Sequence, residues 1–154
     1  MGSVSSGWGD LARQAIHAGT GVPRLYVAAT RAGLSPAEAF EVLRISQASL
    51  AAAATHGRGV PGRTNAVRHF TWQAALTARF GTDAARTIAA AQESGTPNAR
   101  DSRVDEHNNA VGQEYGTRHA DELTGLSPAD LVARLVPVAL AKWDADELVW
   151  VRPH

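Results

Sequence analysis

Apolar residues recur at three- and four-residue intervals along most of the chain, and no useful stretch alternates with the period of two that marks a strand. The pattern predicts an all-α fold: a compact bundle of about six to seven helices forming one domain over residues 8–154, behind a disordered tail, 1–7. Trp8, Leu11, Ala12, Ala15 and Ile16 place a short helix over 8–17, and Leu25, Tyr26 and Ala29 a second over 23–32. Ser35-Pro36-Ala37-Glu38 has the chemistry of a helix start: a capping hydroxyl, a proline at the first helical position and a glutamate closing a capping box. That helix is expected to run to about Ala54. Thr64 or Asn65 is expected to cap the next, which ends near Phe80; Gly81 stops it, and Thr82 caps a helix to Glu93. A long helix from about Asp101 to Asp121 follows. The last starts at Ser127-Pro128 and runs to about Leu148, with a kink or split expected at Pro137.

Composition narrows the function classes. The chain has 154 residues, 44% of them hydrophobic, enough for a packed core. Fifteen basic residues balance fifteen acidic ones, which makes nucleic acid the less expected partner. With no cysteine, disulfides, thiolate metal sites and cysteine nucleophiles are excluded. No apolar run approaches the roughly 20 residues of a transmembrane helix. The first residues show no signal peptide, so export would rest on an address elsewhere in a longer protein.

Polar residues that a plain bundle does not need are concentrated between 63 and 116. Asn65, His69, Trp72, Leu76 and Phe80 share one helical stripe, polar at its N-terminal end. The tight corner at Gly81 implies a central antiparallel hairpin. Eleven steps up and eleven back, about 17 Å each, then bring Glu93 level with His69. The following loop delivers Asp101 to the same end, and Asp101, Asp105, Asn108 and Gly112 share a face, with Asn109 beside it. Gly112 is expected to admit a close backbone approach. His107 points away from the Asp105 face, and His17, His56, His119 and His154 read as surface residues.

Arg68-His69-x-x-Trp72, the Gly81 turn, Glu93 and Asp101-x-x-x-Asp105-x-x-Asn108-Asn109-x-x-Gly112 resemble an uncharacterised all-helical bacterial domain. That domain occurs in secreted proteins and at the toxic C-terminal ends of polymorphic toxins. The resemblance covers roughly residues 63–116. It implies a toxin or effector, exported or delivered to a target cell as part of a longer protein and countered by an immunity protein. Family members often carry His-Glu where this chain has Gln92-Glu93, which removes one metal ligand.

Glu93, Asp101 and Asp105 are hard oxygen ligands suited to Ca²⁺, Mg²⁺ or Mn²⁺. His69, Glu93, Asp105 and Arg68 are the expected catalytic residues, His69 as general acid or base and Arg68 as a phosphate clamp. Arg63, Asn65, Trp72, Asn108 and Asn109 are expected to bind substrate. Together they point to metal-assisted cleavage of a phosphate ester in the cell envelope, a phospholipid or a lipid-linked wall precursor. Competing readings are a metal-free nuclease using His69 and Glu93, a glycosidase with paired carboxylates, and a non-catalytic helical interaction domain whose polar residues fix helix register.

Overall fold

The computed structural model describes residues 21–94 and 99–150, with side chains over 23–94 and 102–150. The expected tail and 8–17 helix, His17, His154 and the Asp101 side chain lie outside the described residues. The order is α1 (Gly21–Arg31), α2 (Pro36–His56), α3 (Arg63–Phe80), α4 (Thr82–Glu93), α5 (Ala99–Arg118), a 3₁₀ turn (Ala120–Leu123) and α6 (Pro128–Asp144). No strand occurs among the described residues, so the fold is all-α.

Local chemistry sets most boundaries. The Ser35 hydroxyl accepts from the Glu38 N–H, and the Glu38 carboxylate accepts from the Ser35 N–H, completing the capping box. Ser127 caps α6 in the same way through the Asp130 N–H. α3 starts earlier than expected: Gly62, in the left-handed region at φ 80°, is its N-cap in place of Thr64 or Asn65. α5 ends at Arg118 and α6 at Asp144, each a few residues before its expected stop. Asp146 adopts φ 59°, where a right-handed helix cannot continue. The split expected at Pro137 does not occur. Pro137 is exposed within an unbroken α6, where the carbonyl deprived of its partner can meet water.

α3 is the axis of the bundle. Every residue from His69 to Thr77 is buried, because α2, α4, α5 and α6 all pack against it. Val42 and Ile45 of α2, Ile88 of α4 and Leu131 and Leu135 of α6 join Val67, Phe70 and Leu76 of α3 in the fully buried core. The most extensive interface is between α3 and α5, which run parallel: their cross-helix hydrogen bonds join residues 40 apart at successive turns. α4, which links them in the chain, runs back antiparallel along α3 and also packs on α1. Thr82 meets Thr117 at one end (3.1 Å), and Glu93 comes beside Glu106 and Asp105 at the other. No described helix is long and apolar enough to cross a membrane.

Candidate functional site

Two glycines set the α3–α5 separation. A Cβ on Gly112 would lie 2.7 Å from the Phe70 carbonyl oxygen, and one on Gly116 2.5 Å from that of Ala74. Only glycine lets the backbones meet this closely, and at that spacing short amide and carboxyl side chains reach across. Three rungs result. Asn65 Nδ2 donates to Asp105 Oδ1 at 2.8 Å, His69 Nδ1 faces Asn109 Oδ1 at 2.8 Å, and Gln113 Nε2 donates to Gln73 Oε1 at 2.7 Å. His69 Nε2 also lies 3.3 Å from Asp105 Oδ1, joining the first two rungs.

His69 is 4% exposed, with both ring nitrogens facing side-chain atoms of α5. The Trp72 ring stands edge-on to it, centroids 5.9 Å apart. Burial pushes the imidazole below its usual pKa, outweighing the attraction of Asp105 and the Asn109 hydrogen bond; the nearby Arg68 charge adds to the depression. Nδ1 faces the Asn109 side-chain carbonyl and Nε2 the Asp105 carboxylate, both of them acceptors. Both ring nitrogens are thus turned to α5, and the ring ties Asp105 to Asn109.

Glu93 arrives at the same end from α4. Its carboxyl pKa is pushed up to about 7, first by burial, then by the charges of Glu106 and Asp105 and a hydrogen-bonding contact with Glu106. One of its oxygens, Oε1, is buried without a hydrogen-bond partner. An acceptor in that position suits a proton or a cation.

The other sequence-predicted residues divide. Asn65 is exposed at the rim, and Arg68 is half-buried close enough to His69 for its charge to act there. Arg63 is half-buried in the first turn of α3, its Nε without a hydrogen-bond partner. Trp72 is buried against His69, and Asn109 is spent on the same ring. Asn108 is turned elsewhere: its amide donates to the Val149 carbonyl and accepts from the Val149 N–H, both at 2.9 Å. His107 also turns away, its Nε2 donating to the Glu147 carbonyl at 2.9 Å. His119, expected as a plain surface residue, stacks on Tyr115 at 4.1 Å and pairs with Glu122. Sequence reasoning passed over Glu106, one residue from Asp105, and Gln73, although Gln73 and Gln113 extend the rungs by one turn each.

A metal was expected at Glu93, Asp101 and Asp105. Among the described residues no three acidic or histidine side chains are grouped to hold one, and the Asp101 side chain falls outside that set. Asp101 does lie in the first turn of α5, one turn before Asp105.

No curated protein and no solved structure matches the chain. One family model does, over residues 32–140, which contain α2 to α5, most of α6 and every residue of the rungs. The chain belongs to the family described as a domain of unknown function, DUF6973.

Proposed function

We propose that the chain is a bacterial toxin or effector hydrolase that cleaves a phosphate ester of the cell envelope, a phospholipid or lipid-linked wall precursor. The observation that carries this reading is the Glu93 carboxyl: near pH 7 it gains and loses a proton readily, one of its oxygens is unpartnered, and Asp105 is held beside it by His69 and Asn65. Arg68 binds the phosphate charge. Glu93 as carboxylate accepts a proton from water as the water oxygen attacks phosphorus. The ester P–O bond breaks, and the proton passes from Glu93 to the leaving oxygen. His69, Asn65 and Asn109 do not touch substrate; they keep the Asp105 charge fixed beside Glu93.

A divalent cation fits the donor chemistry, because the unpartnered Glu93 Oε1 and the Asp105 carboxylate are hard oxygen donors at the end of the bundle to which α5 delivers Asp101. Glu93, Asp105 and Asp101 would hold it, and when bound it would supply polarisation of the phosphoryl oxygen. A second reading, a metal-free nuclease using His69 and Glu93 with Arg68 on the phosphate, draws on the same Glu93 carboxyl raised to about 7 and needs no cation.

The test expresses wild type, Glu93→Gln and Asp105→Ala in a bacterial host, once in the cytoplasm and once in the periplasm. Killing from the periplasm alone, lost in both variants, supports an envelope substrate. Purified protein should then release phosphate-containing product from labelled lipid or wall precursor, at least about 100-fold more slowly in Glu93→Gln. Chelator sensitivity separates the metal-assisted from the metal-free route. Killing from the cytoplasm alone moves the reading to the nuclease, and a folded wild type harmless from both sides overturns the toxin assignment.

A further inference from the structure

Residues 147–150 lie beyond the span matched by the family, 32–140, yet they bind back across both helices of the site. The Asn108 amide forms a two-way clasp with the Val149 backbone, and His107 holds the Glu147 carbonyl. Leu148 is buried, and Trp150 packs on Gly62 so closely that a Cβ there would overlap the indole. Glu147 stays tied to the end of α6, its N–H donating to the Lys142 carbonyl at 2.9 Å and its carboxylate 3.4 Å from Lys142 Nζ. Beyond it a groove of about 260 Å³ opens among Trp143, Asp146 and residues 148–150, which form a strap hinged at α6 and anchored at its far end on α3 and α5.

Both anchors adjoin the site. Asn108 immediately precedes Asn109, whose amide faces His69, and Gly62 caps α3 three residues before Asn65, which donates to Asp105. The strap thus spans the same gap that the Asn65–Asp105 and His69–Asp105 contacts cross. We infer that Asn108 is a positioning residue: by clasping the strap it fixes the first turn of α3 against α5 and so sets the geometry of His69 and Asp105. Its effect on turnover rests on the hydrolase reading above; its effect on geometry does not.

The test uses the full chain and four variants: Asn108→Ala, which removes both clasp bonds; Asn108→Asp, which keeps the acceptor for the Val149 N–H; Trp150→Ala, at the other anchor; and Val132→Ala, a cavity control in α6. The readout is the His69 imidazole N–H resonance at fixed pH, assigned by its loss in His69→Gln. Asn108→Ala and Trp150→Ala should displace or abolish it, Asn108→Asp should restore part of it, and Val132→Ala should leave it unchanged despite a lowered Tm. Once a substrate is in hand, the two strap variants should lower kcat at least about tenfold with KM changed less, the signature of lost preorganisation. A wild-type His69 resonance in either strap variant, with accelerated hydrogen exchange of the Val149 amide reporting a released strap, overturns the inference. An intact resonance response in a protein without hydrolase activity overturns the functional reading alone. Should Asn108→Ala not fold, Trp150→Ala decides.

Discussion

The two halves of the α3–α5 seam solve the same packing problem by different means. Toward the C-terminal end the closest approaches are made by absent side chains, Gly112 against Phe70 and Gly116 against Ala74, with the Gln73–Gln113 rung set between the two glycines. Toward the N-terminal end they meet through short polar side chains, Asn65 with Asp105 and His69 with Asn109. The steric half supplies closeness, and the polar half uses it. An Asn or Asp side chain cannot bridge helices at the usual 8–10 Å separation as readily as a leucine fills it, so the polar rungs depend on the glycines one and two turns away. The site is positioned by residues that never touch it.

Breaking the steric half has the largest expected effect. Gly116→Val drives a branched side chain into the Ala74 carbonyl, which cannot rotate aside, and should destabilise the protein by about 3 kcal/mol in urea unfolding. The rungs should be lost with it. His69→Ala comes next: it strips the partner from Asn109 and one of two from Asp105 and leaves a void beside Trp72, about 2 kcal/mol by the same measurement. Asn65→Ala removes one hydrogen bond at the exposed rim and should cost about 1 kcal/mol or less. If Asn65→Ala proved as damaging as Gly116→Val, the division into a positioning half and a positioned half would be wrong.

The smallest effect on stability is also the most specific. Because the folded Glu93 pKa is raised to about 7, the native state binds its proton more tightly than the unfolded chain does. That contribution is fully present below the unfolded value near 4.5 and is lost as pH rises through about 7. Glu93→Gln should therefore melt higher than wild type above pH 7 and lose the advantage in acid, read from Tm against pH. His69 acts with the opposite sign. Its folded pKa is lowered, so its contribution is present above the unfolded value near 6.5 and is lost as pH falls. A Tm profile of His69→Gln should accordingly converge on wild type only on the acid side.

Much of this arrangement was legible in the sequence, for physical reasons. Ser35 with Glu38, and the stop at Gly81, are local signals that need no tertiary context, whereas Thr82 does not cap α4 as expected: Gly81 is the N-cap, and the Thr82 hydroxyl is turned to Thr117. The equal lengths either side of Gly81 brought Glu93 to the His69 end, and Gly112 in a polar helix announced a close approach. What stayed hidden depends on partners without a periodic signature. Nothing in Glu147-Leu148-Val149-Trp150 indicates that Asn108 will clasp its backbone, because backbone groups are the same at every position. The partners of His69 were hidden likewise: spacing gives its level in the bundle but not the two α5 side chains that face its ring. The Gly62 cap escaped because the indole packed against it comes from Trp150, 88 residues later.

The strap and the rungs share one number. The contacts that join Asn65 to Asp105, His69 to Asn109 and Gln73 to Gln113 close loops of 40 residues, and those that tie Glu147 and Val149 to α5 close loops of 40 and 41. Loop-closure entropy is therefore nearly equal for both, and the order in which they come apart is left to burial. The rungs at His69 and Gln73 lie in the interior, whereas His107 and Glu147 are exposed and the Asn108 clasp is only part-buried. Under native conditions the Val149 amide should exchange with solvent through a small sub-global unfolding event, while the amides of α3 exchange only with global unfolding. The protein would then exist, for a minor fraction of the time, as an otherwise intact bundle with its end uncovered.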